Sequence, residues 1–588
     1  MEKRNAAGQV LLLTGAGLVV KVAGLFFKLP LTTLIGEEGM GCFNTAYTIF
    51  VWFYTLSTSG LPAAEAMLIS KETNEKKRVL HISLFIFTIL GLLGTTLMAF
   101  GAGTFSKLLR AEKAAEAIFA ISPVLFFVCL SAGFRGYFQG IGELRPHAFS
   151  QVAEAFGKLF FGVAIAWMII RRGGTVENAA AGAALGICGG MILGLILLVS
   201  WFFVHYLHEQ NVQKKANNLP QERNFKDEPA LRRNLQSKTD IAPQKLYNKE
   251  EKTSNRQNAQ TNRSESDNHT KKHSRNFVEI TKKLISSAIP ITLSASVMSL
   301  TSILDTIVMT RRLNDAGFSQ AETIAIYGNY SSLAVPMFNL PPVLIYPIAY
   351  ALMPALSSLY KTTKISGSDL KKARGLCGEA FRATCFVAIP CVIGMCAMAE
   401  PILSLLFRED MARRGALMLS LLAPSSFFVC LLSLTGTILQ STGHERVPLA
   451  AMLAGAAVKL ASSWLLIPCM GKYGTPVSTF LCYLTICTIE IAAIARLTDL
   501  FRSGKSPEKP VKSAFLAKDF VKPLVVSTAS VFTGCAVLKA MPDGRISTLI
   551  SVILTIIVYF AISYKDMVLI YRKQAKNKEV PINEQAKN

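Results

Sequence analysis

Charged residues are scarce in this sequence. Asp, Glu, Lys and Arg make up 17% of the 588 residues, whereas apolar residues make up 51%. A water-soluble chain of this length needs a more charged surface, so a soluble protein is excluded. Apolar runs of about 18 residues or more recur along nearly the whole chain, and about 20 such residues cross the hydrocarbon core of a bilayer. The sequence therefore predicts an all-α polytopic membrane protein.

Signatures of catalysis and metal binding are also missing. The 12 cysteines form no CxxC pair and lie mostly in apolar runs, which indicates neither a zinc site nor a disulfide framework. No Walker A sequence occurs, because Gly504-Lys505-Ser506 lacks the upstream glycine. No Asp-x-Asp pair occurs, and the histidines are scattered. We therefore expect a transporter and no enzyme, without a cofactor or metal. Active transport would draw on Na⁺, H⁺ or the membrane potential.

The basic residues explain the net charge of +24. They cluster in loops after the predicted spans two, eight, twelve and fourteen, as at Lys76, Lys371, Lys512 and Arg572. Basic loops mark the cytoplasmic side of a membrane protein, so both termini are predicted to lie in the cytoplasm. The charge then indicates contact with membrane lipids and no binding of nucleic acid.

Hydropathy predicts about fourteen transmembrane helices. The first carries Lys21 and Lys28, is longer than the apolar core of a signal peptide, and is expected to remain in the mature protein. The predicted spans are 8–35, 41–70, 79–104, 116–138, 148–170, 178–204, 282–310, 326–359, 372–400, 415–440, 448–470, 474–496, 519–540 and 545–571.

An internal repeat divides these spans. The stretch 123–130 recurs at 424–431, and Lys158-Leu159 recurs as Lys459-Leu460 at the same offset. Each repeat holds six spans, so both halves have the same orientation and are related by an axis along the membrane normal. We expect two pseudo-symmetric six-helix lobes around a central cavity, plus two C-terminal helices.

The predicted domains follow from this repeat. They are an N-terminal lobe at 1–205, a disordered basic linker at 206–276, a C-terminal lobe at 277–497, a cytoplasmic loop at 498–518, spans thirteen and fourteen at 519–571, and a cytoplasmic tail at 572–588.

Ionisable residues inside spans are costly, so they are candidates for function. Lys21 and Lys28 are seven residues apart, on one face of span one, and suit a phosphate or pyrophosphate group. Lys28 snorkelling to the interface is the alternative. The other candidates for a cavity that binds substrate are Arg135, Glu154, Lys158, Arg382 and Lys459. Glu154 and Lys158 are spaced i, i+4, which also suits an ion pair within one helix.

Asp305 lies deep in span seven and is the candidate for ion coupling. The carboxylate would bind a cation or proton, or it would pair with Lys21 or another lysine across the cavity. The sequence leaves both alternatives open. Glu490 in span twelve is a weaker candidate of the same kind.

Several motifs resemble a known family. Phe134-Arg135-Gly136-Tyr137-Phe138-Gln139-Gly140, followed by Pro146, Ser150-Gln151 and Glu154, is similar to spans four and five of proteins of the stage V sporulation protein B type. Gly60-Leu61-Pro62, Ala351-Leu352-Met353-Pro354-Ala355 and Leu466-Ile467-Pro468 fit as well. These proteins form the polysaccharide-transporter branch of the multidrug/oligosaccharidyl-lipid/polysaccharide (MOP) exporter superfamily, with the MurJ-type lipid II flippases and the O-antigen flippases as relatives.

The resemblance implies a flippase that works by alternating access. Its substrate would be a polyprenyl-linked saccharide for cell-wall, spore-cortex or polysaccharide assembly, with the pyrophosphate near Lys21 and Lys28, and spans thirteen and fourteen would line a groove for the tail. It implies a monomer in the bacterial cytoplasmic membrane, with cell-wall synthesis proteins as possible partners. The alternatives are a cation-coupled drug exporter of the same superfamily, a membrane polymerase or acyltransferase, and a scaffold that transports nothing.

Overall fold

The computed structural model describes residues 2–71, 76–217, 258–360, 367–498, 513–542 and 544–578. Within these ranges the chain forms eighteen α-helices, with short 3₁₀ or π turns at Glu112–Ala114, Tyr330–Ala334 and Gly471–Tyr473. The helices are α1 (Glu2–Thr58), α2 (Leu61–Lys71), α3 (Lys76–Leu108), α4 (Ala115–Ile121), α5 (Val124–Gly140), α6 (Arg145–Arg171), α7 (Val176–Asn217), α8 (Asn258–Asp315), α9 (Gln320–Asn329), α10 (Val335–Phe338), α11 (Leu340–Leu359), α12 (Gly367–Ala397), α13 (Ala399–Leu406), α14 (Glu409–Ser441), α15 (Arg446–Met470), α16 (Gly474–Leu497), α17 (Ser513–Ala540) and α18 (Arg545–Lys578).

The first helix folds back on itself at Gly36. The φ angle of this residue is 69°. Glycine adopts such an angle readily because glycine has no Cβ atom. The Phe27 and Phe43 ring centroids are only 5.7 Å apart, whereas a continuous helix would separate these positions by about 24 Å. The two halves of α1 therefore form a hairpin, which agrees with the predicted turn between spans one and two.

Eleven helical stretches within the described residues are long and apolar enough to cross a membrane. Two of them, 15–70 and 446–497, have 56 and 52 residues, which is enough for two crossings each. The all-α polytopic fold is confirmed, and the count of fourteen spans stays a prediction.

Small residues hold the first lobe together. A Cβ atom added at Gly157 would lie 2.6 Å from the Gly190 Cα atom, and one added at Gly186 would overlap Gly162. The backbones of α6 and α7 therefore pack directly against each other, as small-residue spacing in a membrane helix predicts. The second lobe has its own apolar core, which includes Leu403 and Leu419. Beside that lobe, the Tyr559 hydroxyl of α18 donates to the Phe386 carbonyl oxygen of α12 at 2.8 Å.

Helix α8 contacts both lobes. Leu284 and Ala288 in its first half share an apolar core with Leu61 and Ala64 of α2. Its last turns, at Met309 and Leu313, belong to the core of the second lobe. We call the end of the bundle at which α7 ends and α8 begins the linker end, and the opposite one the far end.

The predicted linker at 206–276 is shorter in the structure at both of its ends. Helix α7 continues to Asn217 and α8 begins at Asn258, because Glu, Gln and Lys are good helix formers and extend each helix beyond its apolar part. Residues 218–257 lie outside the described residues. Similarly, α17 begins at Ser513 within the predicted loop at 498–518, and α18 continues to Lys578 within the predicted tail at 572–588. Residues 499–512 and 579–588 also lie outside the described residues.

Alanine at Gly41 or Gly328 is expected to separate α1 from α9 at the far end. An added Cβ atom would overlap the Ile324 carbonyl oxygen in the first case and that of Glu37 in the second. Such overpacking costs about 1–3 kcal/mol. Cysteine introduced at the buried Ser332 should then react about tenfold faster with a membrane-impermeant maleimide.

Gly24→Ala is the matched control, because nothing lies within 4 Å of a Cβ atom added there. Labelling is quantified by mass spectrometry of the peptide that contains residue 332. Equal rates in all three variants would contradict the proposed contact of α1 with α9.

Candidate functional site

The two lysines of the first span contact the second lobe. The Lys28 ammonium donates to the Ser331 carbonyl oxygen at 2.9 Å, within the π turn that follows α9. The Lys21 ammonium lies 4.4 Å from the centroid of the Tyr346 ring on α11. Both side chains therefore lie where the lobes meet, at the interface that we call the seam. The Lys28 ammonium thus has a hydrogen-bond acceptor within the protein, which favours a place at the interface of the lobes over snorkelling to the membrane surface.

The π turn is itself anchored to the first lobe. Asn44 Nδ2 donates to Ser332 Oγ at 2.7 Å, and the hydroxyls of Thr48 and Tyr327 lie 2.8 Å apart. A π turn leaves the regular helical bonding pattern, and such turns occur frequently at functional sites. Here it exposes a carbonyl oxygen to Lys28.

Arg135, Glu154 and Lys158 form one buried ion cluster in the first lobe. Arg135 Nη2 lies 2.8 Å from Glu154 Oε2, and Lys158 Nζ lies 3.5 Å from Glu154 Oε1. The carboxylate therefore accepts from both cations, across α5 and α6. The i, i+4 pair predicted from spacing is present, and Arg135 extends it. The cluster's substrate-binding role stays a prediction.

Asp305 pairs with Lys459. The Lys459 ammonium on α15 lies 2.8 Å from Asp305 Oδ2 on α8, while Asp305 Oδ1 accepts no hydrogen bond from the described residues. Of the two alternatives that the sequence left open, the structure shows a lysine pair. A coupling ion at this site would have to bind beside the ammonium or displace it. The coupling role stays a prediction.

These contacts divide the four candidate lysines into two classes. Lys158 and Lys459 each lie beside a carboxylate, which compensates the cost of burying the ammonium charge. Lys21 and Lys28 contact only a ring face and a carbonyl oxygen among the described residues. The second class has positive charge that an anionic ligand can neutralise.

Two further candidates lie on helices of the second lobe. Arg382 is partly buried on α12. Glu490 is buried on α16 and accepts a hydrogen bond from Thr435 of α14. Neither observation assigns these residues to a substrate, and the substrate-binding role of Arg382 stays a prediction.

Ion pairs between the lobes at the far end escaped the sequence analysis. Arg414 Nε lies 2.8 Å from Glu37 Oε1, and Arg110 Nη1 lies 3.6 Å from Asp315 Oδ1. The two residues of each ion pair are far apart in the chain, so no local spacing of charges predicts the pair. These ion pairs close the far end of the seam.

Glu65 also escaped the sequence analysis. It is fully buried on α2, and neither carboxyl oxygen has a hydrogen-bond partner among the described residues. The sequence did contain an indication of its importance. Glu65 is a single carboxylate within the apolar run Ala63-Ala64-Glu65-Ala66-Met67 of a predicted span, and charged residues are rare in such runs.

Comparisons with known families agree with the predicted resemblance. Residues 7–227 match the family described as "Polysaccharide biosynthesis protein", and residues 265–538 match "Lipid II flippase MurJ". Stage V sporulation protein B of Bacillus subtilis (strain 168) is 26% identical over 385 residues, which are 64% of this chain and 63% of that protein. Lipid II flippase MurJ of the same organism is 19% identical over 488 residues, 79% of this chain and 78% of that protein. The chain thus spans less than two thirds of the first of these relatives.

Solved structures show the same fold. A structure of lipid II flippase MurJ in an inward closed conformation gives a TM-score of 0.63 at 14% identity, covering 95% of this chain and all of that one. An inward-facing multidrug resistance MATE family transporter gives 0.59 at 14% identity, covering 82% of this chain and 96% of that one. These structures confirm the fold, while the two family models and the relatives from Bacillus subtilis confirm the predicted resemblance and indicate a transporter rather than an enzyme.

Lys459→Met is expected to destabilise the protein strongly, because it leaves Asp305 buried without its cation. Breaking one partner of a buried pair costs about 3–5 kcal/mol. The double variant Asp305→Leu/Lys459→Met removes both charges and should regain most of the loss. The measurement is the thermal unfolding midpoint of each purified variant in detergent. A double variant no more stable than Lys459→Met would contradict the pairing.

Proposed function

We propose that this chain, a relative of stage V sporulation protein B and of lipid II flippase MurJ in the MOP superfamily, is a flippase for a lipid-linked saccharide precursor. The substrate is lipid II or another polyprenyl-pyrophosphate saccharide. The chain moves it across the cytoplasmic membrane of a bacterium, for peptidoglycan, spore-cortex or polysaccharide assembly.

One observation carries the proposal: Lys21 and Lys28 lie at the meeting of the lobes without a carboxylate partner among the described residues. Unpaired cations in a membrane are expensive and persist where they serve a ligand or pathway. A pyrophosphate group offers several anionic oxygens to such ammonium groups. The head group would therefore bind between the lobes, with its phosphates against span one.

The contacts between the lobes suit alternating access. The far end is held by ion pairs such as Glu37–Arg414 and by hydrogen bonds such as Asn44–Ser332. An ion pair with a half-exposed member, such as Arg414, is worth only about 0–1 kcal/mol. Such ion pairs can be broken and reformed in a transport cycle, while the apolar core of each lobe stays intact.

The charge of the seam argues against export of a cationic drug. Two ammonium groups without carboxylate partners would repel such a substrate. The likeness to the MATE structure, at 14% identity, concerns the fold alone.

Replacing Lys21 or Lys28 by alanine is expected to slow flipping. A hydrogen bond to a charged group is worth about 1.5–3 kcal/mol, so the rate with purified lipid II in vesicles should fall about 10- to 150-fold for each variant. Lys21→Ala should also fail to complement a strain that lacks its lipid flippases, although the protein inserts normally.

Lys472→Ala is the matched control, because this lysine lies beside its neighbour Tyr473 in the turn between α15 and α16. A parallel assay with a different polyprenyl-linked saccharide distinguishes the substrates. Wild-type rates for both Lys21→Ala and Lys28→Ala would refute the proposed site.

A further inference from the structure

Glu65 is a buried carboxyl group without a compensating partner. Its side chain has no exposed surface, and neither oxygen makes a hydrogen bond within the described part of the chain. The Ser83 hydroxyl of α3 is a polar neighbour of the carboxyl group, but the Ser83 Oγ atom also makes no hydrogen bond within the described residues. An ionised carboxylate in such a place would be strongly destabilising, so this arrangement selects the neutral acid.

Helix α2 packs closely against α5 and α8, and the Glu65 carboxyl group faces the first of these helices. On one side, a Cβ atom added at Gly136 of α5 would lie 2.5 Å from Glu65 Oε2. On the other side, Gly60, just before α2, packs against the Ala288 carbonyl oxygen and the Thr292 hydroxyl of α8. Helix α2 belongs to the first repeat and α8 to the second. Their contact therefore closes the seam at the linker end.

The charged and titratable groups on the surrounding helices have other partners. Arg135, beside Gly136 on α5, binds Glu154 at 2.8 Å. On α3, Lys77 lies 4.3 Å from the centroid of the Tyr206 ring, and His81 Nδ1 lies 2.7 Å from the Lys77 carbonyl oxygen. Lys283 of α8 pairs with Glu279 at 3.0 Å, and Lys282 lies beside it in sequence. Further titratable residues on these helices are Tyr137 of α5, Arg78 of α3 and Tyr54 of α1. Within the described part of the chain, none of these groups makes a hydrogen bond to a Glu65 oxygen.

We infer that Glu65 is a proton-binding site that couples opening of the linker end to proton release. With the proton bound, α2 packs against α5 and α8 and the linker end is closed. When α2 parts from α8, water reaches the carboxyl group, which gives its proton to that water and becomes a carboxylate. Closing again requires a proton from the same side.

This inference deepens the proposed function, since it supplies the proton as a coupling ion at a residue other than Asp305. It concerns the opening of the bundle and not the identity of the lipid. It can therefore be tested without substrate, so that its failure is distinguishable from failure of the proposed flippase activity.

The test is hydrogen–deuterium exchange of the full chain in lipid nanodiscs at pH 5.5 and pH 8.5, corrected for the pH dependence of chemical exchange. In the wild type, we expect residues 61–71 and 280–292 to lose protection at the higher pH. The loss should approach about tenfold per pH unit above the point at which the carboxyl group releases its proton. Glu65→Gln, which keeps the shape but cannot ionise, should stay protected at both pH values.

Two further variants make the result decisive. Glu65→Met removes the polar group at similar volume and should be as insensitive to pH as Glu65→Gln, which covers the case in which the glutamine variant folds poorly. Glu490→Gln removes another buried carboxyl group, on α16, and should keep the wild-type response. The inference is overturned if the wild type shows no pH dependence at these segments, or if Glu65→Gln and Glu65→Met retain it.

Discussion

The cost of placing charge in a low-dielectric environment is the constraint on which the structure depends. Every ionised side chain within the helices needs a partner, a route to water, or a ligand. Glu154 accepts from Arg135 and Lys158, and Asp305 accepts from Lys459, so each lobe carries one compensated cluster. The lysines of span one and the carboxyl group of Glu65 differ from these clusters, because none of them makes an ion pair in the described structure.

The two lobes use the same repeated lysine in different ways. Lys158 finds Glu154 four residues earlier on its own helix. At the corresponding place before Lys459 stands Gly455, which packs against Ile486 of α16, and the carboxylate comes from α8 instead. The second cluster therefore ties α8 to its lobe near the far end, while the first half of α8 packs on α2. Helix α8 therefore contacts the first lobe at the linker end and is bound to its own lobe through Asp305 and Lys459.

Periodicity and composition predicted the fold well and the site only in part. Apolar length predicted the helices, and the turn at Gly36 lies between the predicted spans one and two. The candidates Lys21, Lys28 and Asp305 were found because charge inside a span is rare. Their partners were not predicted, since Ser331, Tyr346 and Lys459 approach them through tertiary packing. Glu65 carried the same signal as Asp305, but its isolation is visible only once α5 and α8 are in place.

We propose that the positive charge of Lys21 and Lys28, at the meeting of the lobes, binds a phosphate-bearing head group. Native mass spectrometry of the protein with equal amounts of undecaprenyl pyrophosphate and undecaprenol measures this preference. We expect the wild type to retain the pyrophosphate lipid preferentially and the Lys21→Ala/Lys28→Ala variant to lose this preference. Equal retention of the two lipids by the wild type, or an unchanged preference in the variant, would show that these lysines do not bind the head group.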